Sequence, residues 1–142
     1  GVSDVCQYEI LYTFGGIMIG ADSECLHPVD ELFQGTRYDA FAVYEQERIR
    51  PGLMSPLMAC TVGNEFARAL IVGLSDKKEL TEKPWRETGN LYMKIMYERT
   101  RYKRLKIFPS HYFNTPHYTG HDYHGPDRKY ARQYWGTTKG LY

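Results

Sequence analysis

The side chains best suited to chemistry crowd into one stretch, His111-Tyr-Phe-Asn-Thr-Pro-His117-Tyr-Thr-Gly-His121-Asp122-Tyr-His124. Imidazole and carboxylate are good ligands for zinc or copper, so a metal module built on His111, His117 and His121 is one option. The spacings match no closed-site pattern. Pro109, Pro116, Gly120, Gly125 and Pro126 also interrupt any regular element that would hold the ligands in geometry. Solvated or partner-bonded histidines are the expected state, with no metal or other cofactor. Asp22, Glu24, Asp30 and Glu31 come nearest to an acid–base pair, but they fall in a loop-like segment without an apolar wall to raise a carboxyl pKa. No Ser stands in a nucleophile elbow, and no Cys is locally paired with His. Gly15-Gly16 and Gly20 form neither a dinucleotide-binding nor a P-loop fingerprint. The expectation is a chain that is not an enzyme and takes no small-molecule substrate.

The elements that must position these residues are short. Val5 to Phe14 is rich in β-branched and aromatic residues and predicts a strand. Gly15-Gly16 marks a turn, and Ile17-Met18-Ile19 reads as a second short strand. Residues 21–36 carry Asp22, Ser23, His27-Pro28 and Gly35 and read as loop. Tyr38 to Tyr44 alternates and predicts a third strand, giving a small antiparallel sheet. Asn64 is a natural N-cap, Glu65 complements the helix dipole, and Phe66, Ala69, Leu70 and Gly73 repeat at helical spacing. A helix over 65–74 follows. Residues 75–85 read as a polar connector, and residues 90–107 fit a second helix, with Tyr and Thr equally suited to a strand.

The whole is an α+β chain of 142 residues, one domain's worth of length, with a mean hydropathy of −0.55. Its expected organisation is a sheet-plus-helix unit (1–75), a connector with a basic helix (76–108) and an extended segment (109–142). No run approaches the roughly 20 apolar residues of a membrane span. Cys6, Cys25 and Cys60 are odd in number and widely spaced, which argues against a disulfide scaffold and points to a reducing compartment. The chain opens on Gly1 without a signal-like apolar region, which suits a cleaved organelle presequence.

The net charge of +1 conceals an asymmetry. Residues 1–81 hold six Lys/Arg against twelve Asp/Glu, and residues 82–142 hold twelve against five. The basic run Arg99-Thr-Arg101-Tyr-Lys103-Arg104-Leu-Lys106 is the densest, either a solvated helix face or a contact for an acidic surface or phosphate. Beyond it, Pro and Gly break every periodicity while Tyr, His and Trp recur. Such a segment makes no core of its own, and ordering each residue costs about 1–2 kcal/mol. Burial of its rings on a partner resolves both problems. The expected partner-binding residues are Arg99, Arg101, Lys103, Arg104, His111, Tyr112, Asn114, Tyr118, Tyr123, Tyr134 and Trp135. Basic residues interleaved with Tyr also keep an RNA-associated role, such as a mitochondrial ribosomal accessory protein, in view.

Four stretches in order resemble one family. Gly16-Ile-Met-Ile-Gly20-Ala-Asp22 with Asp30 and Glu31 is similar to its opening signature. Phe33-Gln-Gly35-Thr-Arg37 followed by Phe41-Ala-Val43-Tyr44 is similar to its Phe-Gly-Arg segment and strand. Val62-Gly-Asn-Glu65-Phe66-Ala-Arg68-Ala-Leu70 looks like its helix start, with Phe where the family has Trp. His111-Tyr-Phe-Asn114 with Thr119-Gly120, Tyr123 and Pro126 matches its closing motif. The family is the NADH dehydrogenase (ubiquinone) alpha subcomplex subunit 12 family, accessory subunits of respiratory complex I. The resemblance implies a non-catalytic accessory subunit on the matrix side of the mitochondrial inner membrane, in the electron-transport chain. It would stabilise core iron–sulfur subunits of the complex, its partners, or serve as a paralogous assembly factor.

Overall fold

The computed structural model describes residues 1–77 and 83–141. It is an α+β fold built on a small mixed sheet. The first element is a helix, α1 (Val2–Phe14), where the sequence predicts a strand. Propensity differences of under about 1 kcal/mol per residue are easily overridden by tertiary burial. Tyr8 and Leu11, three apart and so on one helical face, are both fully buried, and α1 packs on α3 (Glu65–Ser75). The Tyr8 hydroxyl donates to the Thr88 carbonyl at 2.7 Å, which ties α1 to the far half of the chain. Gly15, at φ 67°, ends the helix with its N–H on the Leu11 carbonyl. A Cβ there would stand 3.0 Å from the Val62 nitrogen, so the turn requires glycine.

The main sheet runs β1 (Gly16–Ile17), β4 (Ala59–Cys60), β3 (Ala40–Val43), β5 (Leu105–Phe108). The first three are antiparallel, although β4 between the expected strands β1 and β3 was not anticipated, and β5 joins β3 in parallel, Ala40 opposite Leu105 and Val43 opposite Phe108. The sheet is therefore mixed rather than antiparallel. Parallel pairing needs a long crossover, here supplied by α3, α4 (Pro84–Glu87) and α5 (Asn90–Thr100). The predicted helix over 90–107 is thus a helix followed by a strand, separated by Arg101 in the left-handed region at φ 51°. The predicted connector holds α4, and its residues 78–82 lie outside the described residues. Helix α3 matches its expectation: the Asn64 Oδ1 accepts from the Phe66 and Ala67 amides at 3.0 and 3.2 Å.

All four β3 residues are buried, so both sheet faces are covered. Ala40 and Ala42 face a core of Tyr8, Leu11, Phe66, Leu70 and Met93 from the helices. Phe41 and Val43 face the other way, onto Phe108, Phe113, Tyr130 and Ala131. That second layer is the C-terminal segment. It starts with a single 3₁₀ turn (Ser110–Tyr112) and returns as β6 (Ala131–Gln133). Strand β6 pairs antiparallel with β2 (Ser23–Cys25), inside the stretch expected to be loop, which also contains the short α2 (Asp30–Phe33). The segment's rings were expected to need a partner. Its own sheet shields Phe113 and Tyr130, at about 2 kcal/mol each by area burial, and half-buries Tyr112, while Tyr118, Tyr123 and Trp135 are half-buried with contacts to His117 and His111 of the segment itself. Pro and Gly stop it from forming long elements but do not stop it from covering a ready-made apolar surface. No described helix is long and apolar enough to cross a membrane.

Candidate functional site

Where the β2–β6 ribbon meets the edge of the main sheet, the chain leaves a cleft of about 370 Å³. That lies in the range of small-molecule sites, roughly 300–1,000 Å³. Met18, Val43, Met58 and Phe113 form its apolar floor, while Ser3, Gln7, Ser23, Asn114, Gln133 and Trp135 bring polar groups. The ribbon fixes the polar wall. The Gln133 Nε2 donates to the Asp22 Oδ1 at 2.9 Å, and the Ser23 hydroxyl donates to the Gln133 Oε1 at 2.5 Å, so the amide is held from both ends. The second Asp22 oxygen accepts from the Gly136 N–H at 2.9 Å, and the Asp22 carbonyl accepts from the Tyr134 N–H at 3.0 Å. Asp22 thus ties together both sides of the ribbon. A Cβ on Gly20 would sit 2.9 Å from its Oδ1, so glycine there leaves room for the carboxylate.

Trp135 closes one end of the cleft. It is one of two non-glycine residues at positive φ among the described residues, at 58°, a conformation that is strained for a bulky side chain. Its indole N–H donates to the Pro116 carbonyl at 2.7 Å, and its ring stands edge-on to His117 and Tyr118 at 5.2 and 5.3 Å. Asn114 donates to the Tyr44 carbonyl at 2.8 Å and Gln7 to the Leu57 carbonyl at 2.6 Å, so each amide is oriented by backbone.

Behind Trp135 lies a buried polar network. Glu45 is 5% exposed and His117 2%. The Glu45 carboxylate accepts from the Asn90 amide at 2.9 Å and faces the Arg50 guanidinium at 3.4 Å and the His117 Nε2 at 3.5 Å. The His117 Nδ1 is 2.8 Å from the Thr119 hydroxyl, and Arg50 also donates to the Tyr118 hydroxyl at 2.9 Å. Burial pulls the His117 pKa below its ordinary 6.5, against the opposing pull of Glu45. The ring is neutral at pH 7 and acts as a brace for the segment that carries Trp135.

The expected partner-binding residues separate into groups. Asn114 and Trp135 line the cleft, with Tyr118 packed behind. His111 stacks on Tyr123 at 4.0 Å, and its buried Nε2 makes no hydrogen bond, with Asp127 3.4 Å away. Tyr112 stacks on Phe108, and Tyr134, the exposed ring, donates to Glu24 at 2.6 Å. The cations sit elsewhere: Arg99 in the last turn of α5, Arg101 at its C-cap, Lys103 in the following turn and Arg104 paired with Asp39. His111, His117 and His121 form no metal-holding group, and none of three or more His, Cys, Asp and Glu exists among the described residues. Asp22, expected in a loop-like segment, is hydrogen-bonded from the ribbon. Glu45, Gln7 and Gln133 carried no recognisable signal, because the hydrogen-bond partners that place them, Asn90, Leu57 and Asp22, lie 45 to 111 residues away.

No family model, no curated protein and no solved structure matches the chain.

Proposed function

We propose that this chain binds a small, neutral, hydroxyl-rich ligand of the carbohydrate class in the cleft between the β2–β6 ribbon and the main sheet. The observation that carries the reading is the Ser23–Gln133 pair, anchored by Asp22 behind it and set beside Trp135 over an apolar floor. Each sugar hydroxyl donates and accepts, so it is matched by side-chain amides and hydroxyls already held in place. The C–H face of a sugar ring is apolar and suits an indole surface. Pre-orientation of Gln7, Asn114 and Gln133 by hydrogen bonds lowers the entropy lost on binding.

A panel of monosaccharides and disaccharides, titrated by calorimetry against the full chain, tests this. A ligand of about a dozen heavy atoms at roughly 0.3 kcal/mol per atom gives a dissociation constant in the millimolar range. Gln133→Ala and Trp135→Phe are each expected to weaken binding about tenfold. Absence of binding across the panel refutes the proposal.

The accessory-subunit reading, with complex I subunits as partners, is the second proposal. Its physical argument was that the C-terminal rings need a neighbour, and the chain's own sheet now supplies that neighbour for Phe113 and Tyr130. What favours a protein partner is the apolar exposure on α1 and beside it, with Phe14 74% and Val62 67% accessible. Co-migration with complex I on native gels of mitochondrial membranes decides it. For the RNA-associated reading, the decisive measurement is the salt dependence of binding.

A further inference from the structure

We propose that a second site, the groove between α2 and β5, binds a phosphate monoester. Arg37 and Lys106 hold the oxyanion, and the organic group lies along Tyr38 and Tyr112. The groove has about 700 Å³ of open volume and shares no lining residue with the cleft. Two cations from separate parts of the chain converge on one ring. The Arg37 guanidinium lies 5.1 Å and the Lys106 ammonium 5.6 Å from the Tyr38 centroid. Arg37 also donates to the Tyr38 hydroxyl at 3.1 Å. A half-buried ring is weak compensation for two like charges. The carboxylate in the same groove, Glu31, is engaged by Arg128 and by the Tyr130 hydroxyl. Neighbouring cations differ: Arg104, Arg128, Lys129 and Arg132 each face a carboxylate.

The turn before Arg37 adds donors. Gly35 adopts φ 64°, and among the described residues the amides of Gly35, Thr36 and Arg37 donate to no backbone carbonyl. A dianionic phosphate presents three acceptor oxygens and needs several donors at once, which guanidinium, ammonium and turn amides supply together. Tyr38 and Tyr112 give the attached carbon skeleton an aromatic wall, so an aryl ester fits better than free phosphate.

Calorimetry on the full chain with phenyl phosphate, inorganic phosphate and phenol tests the assignment. Phenyl phosphate is expected to bind at low salt, about tenfold tighter than inorganic phosphate, and phenol not at all. Arg37→Gln and Lys106→Gln should each weaken binding about tenfold, the worth of one charge-assisted hydrogen bond. Gln133→Ala, in the other cleft, should leave it unchanged, which separates this site from the carbohydrate reading. Both substituted side chains are exposed, so unchanged thermal unfolding of the variants is expected and reports intact folding. No binding of phenyl phosphate, or equal binding by the Arg37→Gln/Lys106→Gln double variant, overturns the site. Equal affinity for inorganic and phenyl phosphate overturns the aromatic wall.

Discussion

Burial sets the protonation of His117, and with it the pH response of the layer that builds the cleft. Burial lowers the pKa of the ring most, Glu45 raises it, and Arg50 and His121, which also face it, lower it further. The folded-state pKa is below 6.5, so the unfolded chain takes up the proton first as pH falls. Stability from this residue is therefore complete above pH 6.5 and is lost as pH drops from 6.5 through the folded-state pKa. The urea midpoint is expected to fall over that window, and His117→Gln should flatten the dependence. An unchanged slope in the variant removes His117 as the cause. Residue identity alone did not announce this role. A histidine in a Pro/Gly-rich segment reads as solvated, and only the placement of Glu45 and Trp135 around it reveals a brace.

At the scale of elements, what was readable depended on how local the deciding interaction is. Helix α3 was readable because its cap, its acidic first turn and its apolar spacing all lie within ten residues. Its Asn64 does more than cap, since the side-chain amide also donates to the Asp39 carbonyl at 3.1 Å, joining the helix to β3. Asn64→Ala should cost about 1–2 kcal/mol, measured by denaturant unfolding, whereas Asn64→Asp should keep the cap and lose only the Asp39 bond. Strand β3 was readable from its alternation. Helix α1 was not, because Val5, Ile10 and Tyr12 favour a strand locally, and the face that decides the matter, Tyr8 with Leu11, is stabilised by α3 some 60 residues on. Strand β5 was hidden for a similar reason. Leu105-Lys-Ile-Phe continues a basic helical run, and its parallel partner is 65 residues earlier.

For the whole molecule, the sheet is the middle layer, with α1, α3 and α5 on one face and the C-terminal segment together with α2 on the other. Both candidate sites follow from that arrangement, because the cleft needs Phe113, Asn114, Gln133 and Trp135 in place, and the groove needs Phe108 and Tyr112. Aromatics recurring in a segment broken by Pro and Gly are poor evidence for a missing partner when an uncovered sheet face exists in the same chain. The most direct test is amide hydrogen exchange on the isolated full chain. The amides of Tyr130 and Gln133, bonded to the Tyr112 and Thr115 carbonyls, should be protected to the same degree as those of the main sheet. Exchange of these two amides at free-peptide rates, with the main sheet still protected, would contradict the account.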